Sequence, residues 1–508
     1  MKKATPRRFP VSAKKMLVLT LFLFSLALFA DSPKYIILFI GDGLSTPQRM
    51  IAEEFALKAG HGPLTINHLP HHATTRTVSA NSLVTDSAAS GTAIACGEKT
   101  NNGRIGMGPT LEVLESVAEV ARDQGRKVGI VTSVTMNHAT PASFYGHRPN
   151  RGQSYDLGLD MIASKFDFFA GGGVSKRDDQ KAADYKGDIY KLAEEAGYTV
   201  IDGDQAKIRA LTPGDGKKVM AFGAPGALPY AIDMPAEDLT LADYTKKALE
   251  MLDNPKGFFL MVEGGSIDWA GHSNEAATNL REVLAFDSAV RMGMDFAKNH
   301  PEETLIVVTG DHETGGMTMG FAGTGYALYV ERLANQRCST GRFTNILKTA
   351  QKESPAFSFE DAKLLLSENY GFVFDDEKSP LFVRFLSATV KWMNSKKPSK
   401  PENCPMRPVA SSARNPAWAG PAAPIPDCPC SQPASGKARR GSPDSSKTRT
   451  FPASSRHCCA KNETFAPPGD HHRIPPHAGL CGHVLHTGAQ APCLADGTAR
   501  LGPCADGG

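Results

Sequence analysis

The segment richest in chemical groups is Glu263-Gly-Gly-Ser-Ile-Asp-Trp-Ala-Gly-His272. Asp268 and His272 are four residues apart, so on a helical turn they share one face. Asp311 and His312 supply a second carboxylate–imidazole pair. Neutral imidazole with carboxylate suits Zn²⁺, whereas carboxylate, hydroxyl and water suit Mg²⁺. Two zinc ions about 4 Å apart could clamp the attacking and leaving oxygens of an in-line displacement.

A candidate nucleophile, Ser87, lies in the run Val84-Thr-Asp-Ser-Ala-Ala-Ser-Gly-Thr-Ala93. We predict that Ser87 lies in the first turn of a helix, where free amides and the helix dipole favour an oxyanion. Small neighbours allow other groups to approach closely. No Ser-His-Asp arrangement is visible, and a metal ion is the other way to lower the hydroxyl pKa. Taken alone, the run is more often an ordinary serine cap on an alanine-rich helix.

A candidate anion-binding group follows the motif His138-Ala-Thr-Pro141. Arg151 lies eleven residues past Thr140. The planar guanidinium matches two phosphate oxygens at once, which a lysine cannot do. Taken alone, one arginine near a loop is more often a surface residue, so the prediction depends on the neighbouring motifs.

Short apolar runs and helix-like stretches alternate along the chain and must position these groups. This alternation predicts an α/β fold, a three-layer sandwich with a mostly parallel central sheet. The predicted strands end in polar residues, and ligands gather at the carboxyl ends of parallel strands. We therefore expect Asp42, Glu263, Asp268 and the 311–312 pair to converge. The predicted strands are 35–40, 128–132, 258–262 and 304–309, and the predicted helices are 110–124, 241–252 and 276–298.

Residues 1–30 have the pattern of a signal peptide. Six lysines and arginines, and no acidic residue, precede an apolar run at 16–29, which ends near the small residue Ala30. The run is shorter than the roughly 20 residues of a spanning helix, which favours cleavage over a membrane anchor. We expect an exported chain, periplasmic or extracellular, with no membrane span after cleavage. A net charge of +3 gives no case for nucleic-acid binding.

The composition changes near residue 396. Residues 401–508 hold 17 of the 35 prolines and 8 of the 10 cysteines, with few β-branched residues to build strands. We assign 31–395 to a catalytic domain and 396–508 to an anomalous tail. For the composition of this tail, we favour a shifted reading frame, or a disordered segment, over a cysteine-rich or metal-binding appendage. Cys428-Pro-Cys430 and Cys458-Cys459 lack the two-residue spacer of zinc sites.

Five motifs together resemble the bacterial alkaline phosphatases, in the order in which that family has them. The resemblance is strong from about residue 33 to 320 and weaker to about 390. It implies an alkaline phosphatase-like fold, hydrolysis of phosphate monoesters at alkaline pH, and a homodimer. The five motifs are Ile40–Gly43, Thr85–Thr92, His138–Pro141 with Arg151, Glu263–His272 and Thr309–Thr314.

The resemblance also implies roles for single residues. Ser87 becomes a phosphoserine, and Arg151 binds the phosphoryl group. Two steps, each with inversion, give net retention at phosphorus. The implied metal ligands are Asp268 and His272 for the first zinc; Asp42, Asp311 and His312 for the second zinc; and Asp42, Thr140 and Glu263 for a third site that holds Mg²⁺.

The sequence departs from the family pattern in two places. His138 stands where some members have Asp, and Trp269 where some have Lys or His, so the third site could prefer Co²⁺ or Zn²⁺. The last zinc ligand of the family is a histidine before Thr-Gly. His486-Thr487-Gly488 resembles it, with a coincidental match in the tail as the alternative; His471, His472 and His483 are poorer candidates.

Two other functions stay open. A phosphodiesterase or sulfatase on a related metal scaffold is the nearest enzyme alternative, although Arg151 favours a terminal phosphoryl group. A C-terminally damaged chain, inactive or only phosphate-binding, is the non-catalytic alternative, because losing one of three zinc ligands should weaken the first zinc site.

Overall fold

A seven-stranded sheet lies at the centre of the computed structural model, which describes residues 32–371 except 215, 321–324 and 355. All strand pairs are parallel, and the order across the sheet is β4-β5-β3-β2-β6-β1-β7. The strands are β1 Tyr35–Gly41, β2 Lys127–Thr132, β3 Phe168–Gly172, β4 Tyr198–Asp202, β5 Lys218–Ala224, β6 Phe258–Gly264 and β7 Thr304–Gly310.

Helices cover both faces of this sheet. Successive residues of β1 show the two faces: Ile37 and Phe39 pack into one apolar core, and Leu38 and Ile40 pack into the other. The predicted three-layer α/β architecture is therefore confirmed. The α-helices are α1 Thr46–Lys58, α2 Ser87–Cys96, α3 Val117–Asp123, α4 Ala139–Ala142, α5 Ser154–Ala163, α6 Ile189–Glu195, α7 Gln205–Arg209, α8 Leu241–Leu252, α9 Ser266–His272, α10 Ala276–Asn299, α11 Thr340–Glu353 and α12 Phe359–Tyr370.

The helix predicted over 110–124 is wrong in its first half. Helix α3 begins only at Val117, where Ser116 caps the helix and the Glu119 carboxylate accepts a hydrogen bond from the Ser116 amide. Before it, the Gly108 amide donates to the Glu112 carbonyl, and Leu111 has a φ of 72°. A tight turn has replaced the helix there because the chain doubles back after Gly108.

Four neighbouring strands end at one edge of the sheet in matching register. In the pairs β1–β6 and β2–β6, Glu263 lies opposite Ile40 and Thr132. In the pair β1–β7, Gly41 lies opposite Gly310. The residues that directly follow β1 and β7 therefore leave the sheet beside Glu263.

Some predictions fall on other parts of the chain. The signal peptide at 1–30, the tail at 396–508 and His486 lie outside the described residues. Within the described ranges, none of the helices combines the length and apolarity needed to cross a bilayer.

Candidate active site

Ser87 is the first residue of α2 and is almost fully buried. Asp86 caps the helix by accepting a hydrogen bond from the Ala89 amide at 3.0 Å. This cap fixes the turn that presents the Ser87 hydroxyl. The hydroxyl oxygen lies 3.4 Å from Asp42 Oδ1 and 3.2 Å from His312 Nε2.

Asp42, which contacts this hydroxyl, is one of four buried carboxylates that lie near one another. Asp42 follows β1, Glu263 lies in β6, Asp268 in α9, and Asp311 follows β7. Burial, and then the charges of the other three carboxylates, raise the pKa of Asp42 well above its ordinary range. Burial is also the main cause that raises the pKa of Glu263 to about 8. A divalent cation among these groups would offset both effects, so the donor set fits metal ions.

His312 presents one nitrogen to this cluster. Its Nδ1 lies 3.2 Å from the Glu313 carbonyl oxygen, which can accept a hydrogen bond from a protonated Nδ1; that tautomer would leave the lone pair on Nε2. Nε2 lies 3.4 Å from both Asp42 Oδ1 and Asp311 Oδ2. In a Ser-His-Asp triad, the serine faces one ring nitrogen of the histidine and the carboxylate faces the other. Here Ser87, Asp42 and Asp311 all face the same nitrogen, Nε2. This is the arrangement of a metal ligand.

Among the residues that the structure describes, two groups of potential ligand atoms are close enough to hold an ion. Asp42, Asp268 and His312 offer atoms within 4.8 Å of one another, and so do Asp42, His138 and Glu263. The first group joins residues predicted for both zinc sites. Asp311 lies next to it, and its carboxylate accepts hydrogen bonds from Ser90 at 2.9 Å and from the Gly43 amide at 3.0 Å.

The group around Glu263 fits a third cation. His138 Nδ1 and Glu263 Oε1 are buried polar atoms with no hydrogen-bond partner, which is costly unless an ion or water lies there. Thr140 donates to Asp42 Oδ2 at 3.3 Å, and Thr132 donates to the other oxygen of Glu263. The structure thus brings the predicted third-site residues together, with Thr132 added.

Asp268 and His272 lie on one face of α9, with 3.4 Å between Asp268 Oδ2 and His272 Nε2. Thr314 donates to Asp268 Oδ1 at 2.5 Å. Burial is the largest influence on Asp268 and raises its pKa, but the hydrogen bonds from His272 and Thr314 outweigh it and hold the pKa below its ordinary value. The imidazole of His272 is 70% exposed, with its pKa raised by Asp268.

Arg151 reaches the site from the loop before α5. Its Nη1 donates to Asp86 Oδ2 at 3.1 Å, and its Nη2 lies 3.2 Å from His138 Nε2. Its backbone amide donates to the Gly103 carbonyl at 2.7 Å. The ring of Trp269 packs edge-on against that of His138, 5.8 Å between centroids. Burial, and then Arg151, lower the pKa of His138 to about 3.

Two glycines allow the elements of the site to approach. Gly43 has a φ of +69°, and a Cβ there would lie 2.9 Å from the Asp268 Cα. A Cβ on Gly91 would lie 2.9 Å from Ser143 Oγ and 3.2 Å from the Thr140 Cα. The close contact of α2 with α4 therefore requires the small residues after Ser87.

The sequence interpretation assigned no role to several residues that contact the site: Asp86, Ser90, Thr132 and Thr314. Ser90 had the clearest signal, because it lies three residues after Ser87 and so shares its helix face. Thr132 ends a predicted strand, beside Glu263. Thr314 ends the motif Thr309–Thr314, but its residue type alone gave it no role.

Comparisons with known proteins agree on one family. The model of the alkaline phosphatase family matches residues 33–364. The chain is 37% identical over 254 residues to alkaline phosphatase 4 of Bacillus subtilis, covering 47% of this chain and 51% of that protein. It spans between 51% and 64% of the first three curated relatives that it matches.

Solved structures show the same likeness. A cold-active alkaline phosphatase from a psychrophilic Shewanella superposes with a TM-score of 0.57 at 28% identity, covering 69% of this chain and 84% of that one. The enzyme of the Antarctic bacterium TAB5, as a variant with one histidine replaced by glutamate, superposes with a TM-score of 0.51 at 34% identity, covering 57% and 81%. That variant has magnesium bound in a site called M3.

Proposed function

The chain belongs to the alkaline phosphatase family, and on that premise we propose that it hydrolyses phosphate monoesters with Ser87 as nucleophile. The observation that carries the proposal is the position of the Ser87 hydroxyl. It lies at a helix start, within 3.4 Å of Asp42 and 3.2 Å of His312, where buried carboxylates converge. Nothing in an ordinary helix cap requires such surroundings.

The chemistry takes two steps. The Ser87 oxygen loses its proton and forms a bond to phosphorus, the ester P–O bond breaks, and the departing oxygen takes up a proton. Water then attacks the phosphoserine, which releases phosphate and restores the hydroxyl. Arg151 pairs with two phosphoryl oxygens, and Asp86 and His138 hold its guanidinium in place.

The metals that we propose are two zinc ions and one Mg²⁺, with Co²⁺ or Zn²⁺ as the alternative in the third site. When bound, they lower the pKa of the attacking hydroxyl or water and neutralise charge on the leaving oxygen. The TAB5 variant supports magnesium in a third site once a histidine is replaced by a carboxylate. The test is to offer the protein Mg²⁺, Co²⁺ and Zn²⁺ in equimolar amounts and to measure which metals it holds. A third site that holds Mg²⁺ alone, in a fully active protein, would contradict the Co²⁺ or Zn²⁺ alternative. The proposed ligands are Asp268, His272 and His486 for the first zinc; Asp42, Asp311 and His312 for the second zinc; and Asp42, Thr140 and Glu263 for the third site.

Monoesters are favoured over diesters and sulfates because Arg151 offers a fork to a terminal phosphoryl group with free oxygens. Rates on p-nitrophenyl phosphate, bis-p-nitrophenyl phosphate and p-nitrophenyl sulfate test this directly. We expect the monoester to be hydrolysed fastest. A faster diester or sulfate would contradict the assignment. Chiral-phosphate stereochemistry should show net retention, and inversion would contradict the two-step chemistry.

The activity is tested with purified residues 31–508 at alkaline pH, with and without added Zn²⁺ and Mg²⁺. We expect metal-dependent turnover of p-nitrophenyl phosphate that Ser87→Ala abolishes. His486→Ala should then raise the zinc concentration needed for activity. A folded protein without turnover would favour the damaged-chain alternative, and resequencing the gene beyond codon 390 would test the shifted frame.

We also propose export to the periplasm or the medium, a homodimer, and a division into signal peptide 1–30, catalytic domain 31–395 and anomalous tail 396–508. The basic-then-apolar start of the chain supports export. A mature N-terminus at or near Asp31 on exported protein is expected; a retained apolar segment would contradict cleavage. Light scattering at a monomer mass would contradict the dimer.

A further inference from the structure

His138 lies between Arg151 and the third metal site, and each would use the lone pair of its imidazole ring. Its Nε2 is 3.2 Å from Nη2 of Arg151, and its Nδ1 is 3.9 Å from Asp42 Oδ2. Nδ1 is buried and has no hydrogen-bond partner, and it belongs to the cation-binding group with Asp42 and Glu263. One ring therefore faces the guanidinium on one side and the third metal site on the other.

Counting protons shows that the two contacts exclude each other. A guanidinium only donates, so a hydrogen bond from Arg151 requires the lone pair of His138 at Nε2. A neutral imidazole has one lone pair and one N–H, so Nδ1 then carries the proton and cannot bind a cation. A cation on Nδ1 moves the proton to Nε2, where N–H would face N–H of Arg151. A doubly protonated ring would place a second positive charge beside Arg151.

We propose that His138 gives its single lone pair either to a cation in the third site or to Arg151, so that the kind of cation bound there sets how firmly Arg151 is held. The proposal rests on the proposed function of the site and adds a positioning role for His138. Magnesium prefers oxygen ligands, which Asp42, Thr140 and Glu263 supply, and so leaves His138 with Arg151. Cobalt or zinc accepts imidazole and separates the pair.

The consequence concerns phosphate binding. With His138 bound to a cation, the Asp86 ion pair is the one contact that the guanidinium of Arg151 retains among the described residues. That pair is partly exposed, so alone it fixes the guanidinium less firmly. Inorganic phosphate should therefore bind on the order of tenfold more weakly when the third site holds Co²⁺ than when it holds Mg²⁺, the usual effect of one hydrogen bond to a charged group.

The test is calorimetric titration of inorganic phosphate into the full chain. The protein is loaded with two equivalents of Zn²⁺ and then with one of Mg²⁺ or Co²⁺. His138→Ala should bind phosphate equally with either cation. In His138→Asp the cation difference should also vanish, because a carboxylate has lone pairs for both partners. Trp269→Phe is the matched control: it changes the packing on the ring but neither nitrogen, and should keep the difference.

The visible spectrum of Co²⁺ gives a second measure, because an imidazole ligand should be lost in His138→Ala. Equal phosphate affinity with both cations in the unaltered chain contradicts the proposal, and so does a tenfold difference that persists in His138→Asp. Phosphate binding needs no turnover. A chain that fails to hydrolyse esters therefore refutes the proposed function and still answers this question.

Discussion

Thr314→Val isolates the hydrogen bond that supports Asp268. Valine keeps the shape of threonine and removes the hydroxyl that donates to Asp268 Oδ1 at 2.5 Å. That bond and the one from His272 hold the pKa of Asp268 low in spite of its burial. A hydrogen bond to a charged group contributes about 1.5–3 kcal/mol, and each 1.4 kcal/mol is a factor of ten. We expect zinc affinity at Asp268 and His272 to fall by about 10- to 100-fold.

The assay is phosphatase activity against free zinc, set with a metal buffer. The midpoint should move to higher zinc, and activity should recover when zinc is saturating. Thr245→Val is the matched control, since Thr245 is also buried and its hydroxyl donates to the Leu241 carbonyl within α8, away from the site. An unchanged zinc midpoint in Thr314→Val, with the fold intact, would refute the argument that this hydroxyl supports the first zinc site.

Three further predictions concern stability and packing. Burial raises the pKa of Glu282 to about 7, above its unfolded value, so the free energy of unfolding should fall as pH rises from about 4.5 to 7. Urea titrations at pH 5 and 8 should show that Glu282→Gln removes up to roughly 3 kcal/mol of that fall. An unchanged pH dependence in the variant would contradict this. Gly91→Ala should destabilise the protein by about 1–3 kcal/mol and lower activity, because its Cβ would press on Thr140 and Ser143, whereas Gly226→Ala, with open space around it, should do neither. Adding zinc and magnesium to chelator-treated protein should raise the melting temperature, because cations relieve the repulsion among the buried carboxylates; no rise would contradict the metal assignment.

The sequence predicted the strands that carry the site better than the others. β1, β6 and β7 contain apolar runs of four to six residues, and β2 has three apolar residues around Gly129, which suffice to indicate buried strands. β3 is short and ends in two glycines, and β4 has exposed positions, so neither had a strand pattern; β5 was missed although it contains the apolar run 219–222. Their places in the sheet come from tertiary pairing.

The convergence of the metal-binding side chains was predictable because parallel strands end at one edge. Asp42, Glu263 and Asp311 each end a strand or follow one directly. The supporting hydroxyls were not predictable, since Thr132 and Thr314 act through contacts across the fold and their residue type occurs everywhere. The short helix α3 was overextended because the apolar pattern over 110–124 does not reveal the turn after Gly108.

The most direct test of the account is to find the phosphate on the enzyme. Metal-loaded protein is mixed with p-nitrophenyl phosphate, quenched in acid, digested and examined by mass spectrometry. The account predicts a phosphorylated peptide with the phosphate on Ser87, absent from Ser87→Ala together with turnover. Turnover that continues in Ser87→Ala, or phosphate found on a different residue, would contradict it.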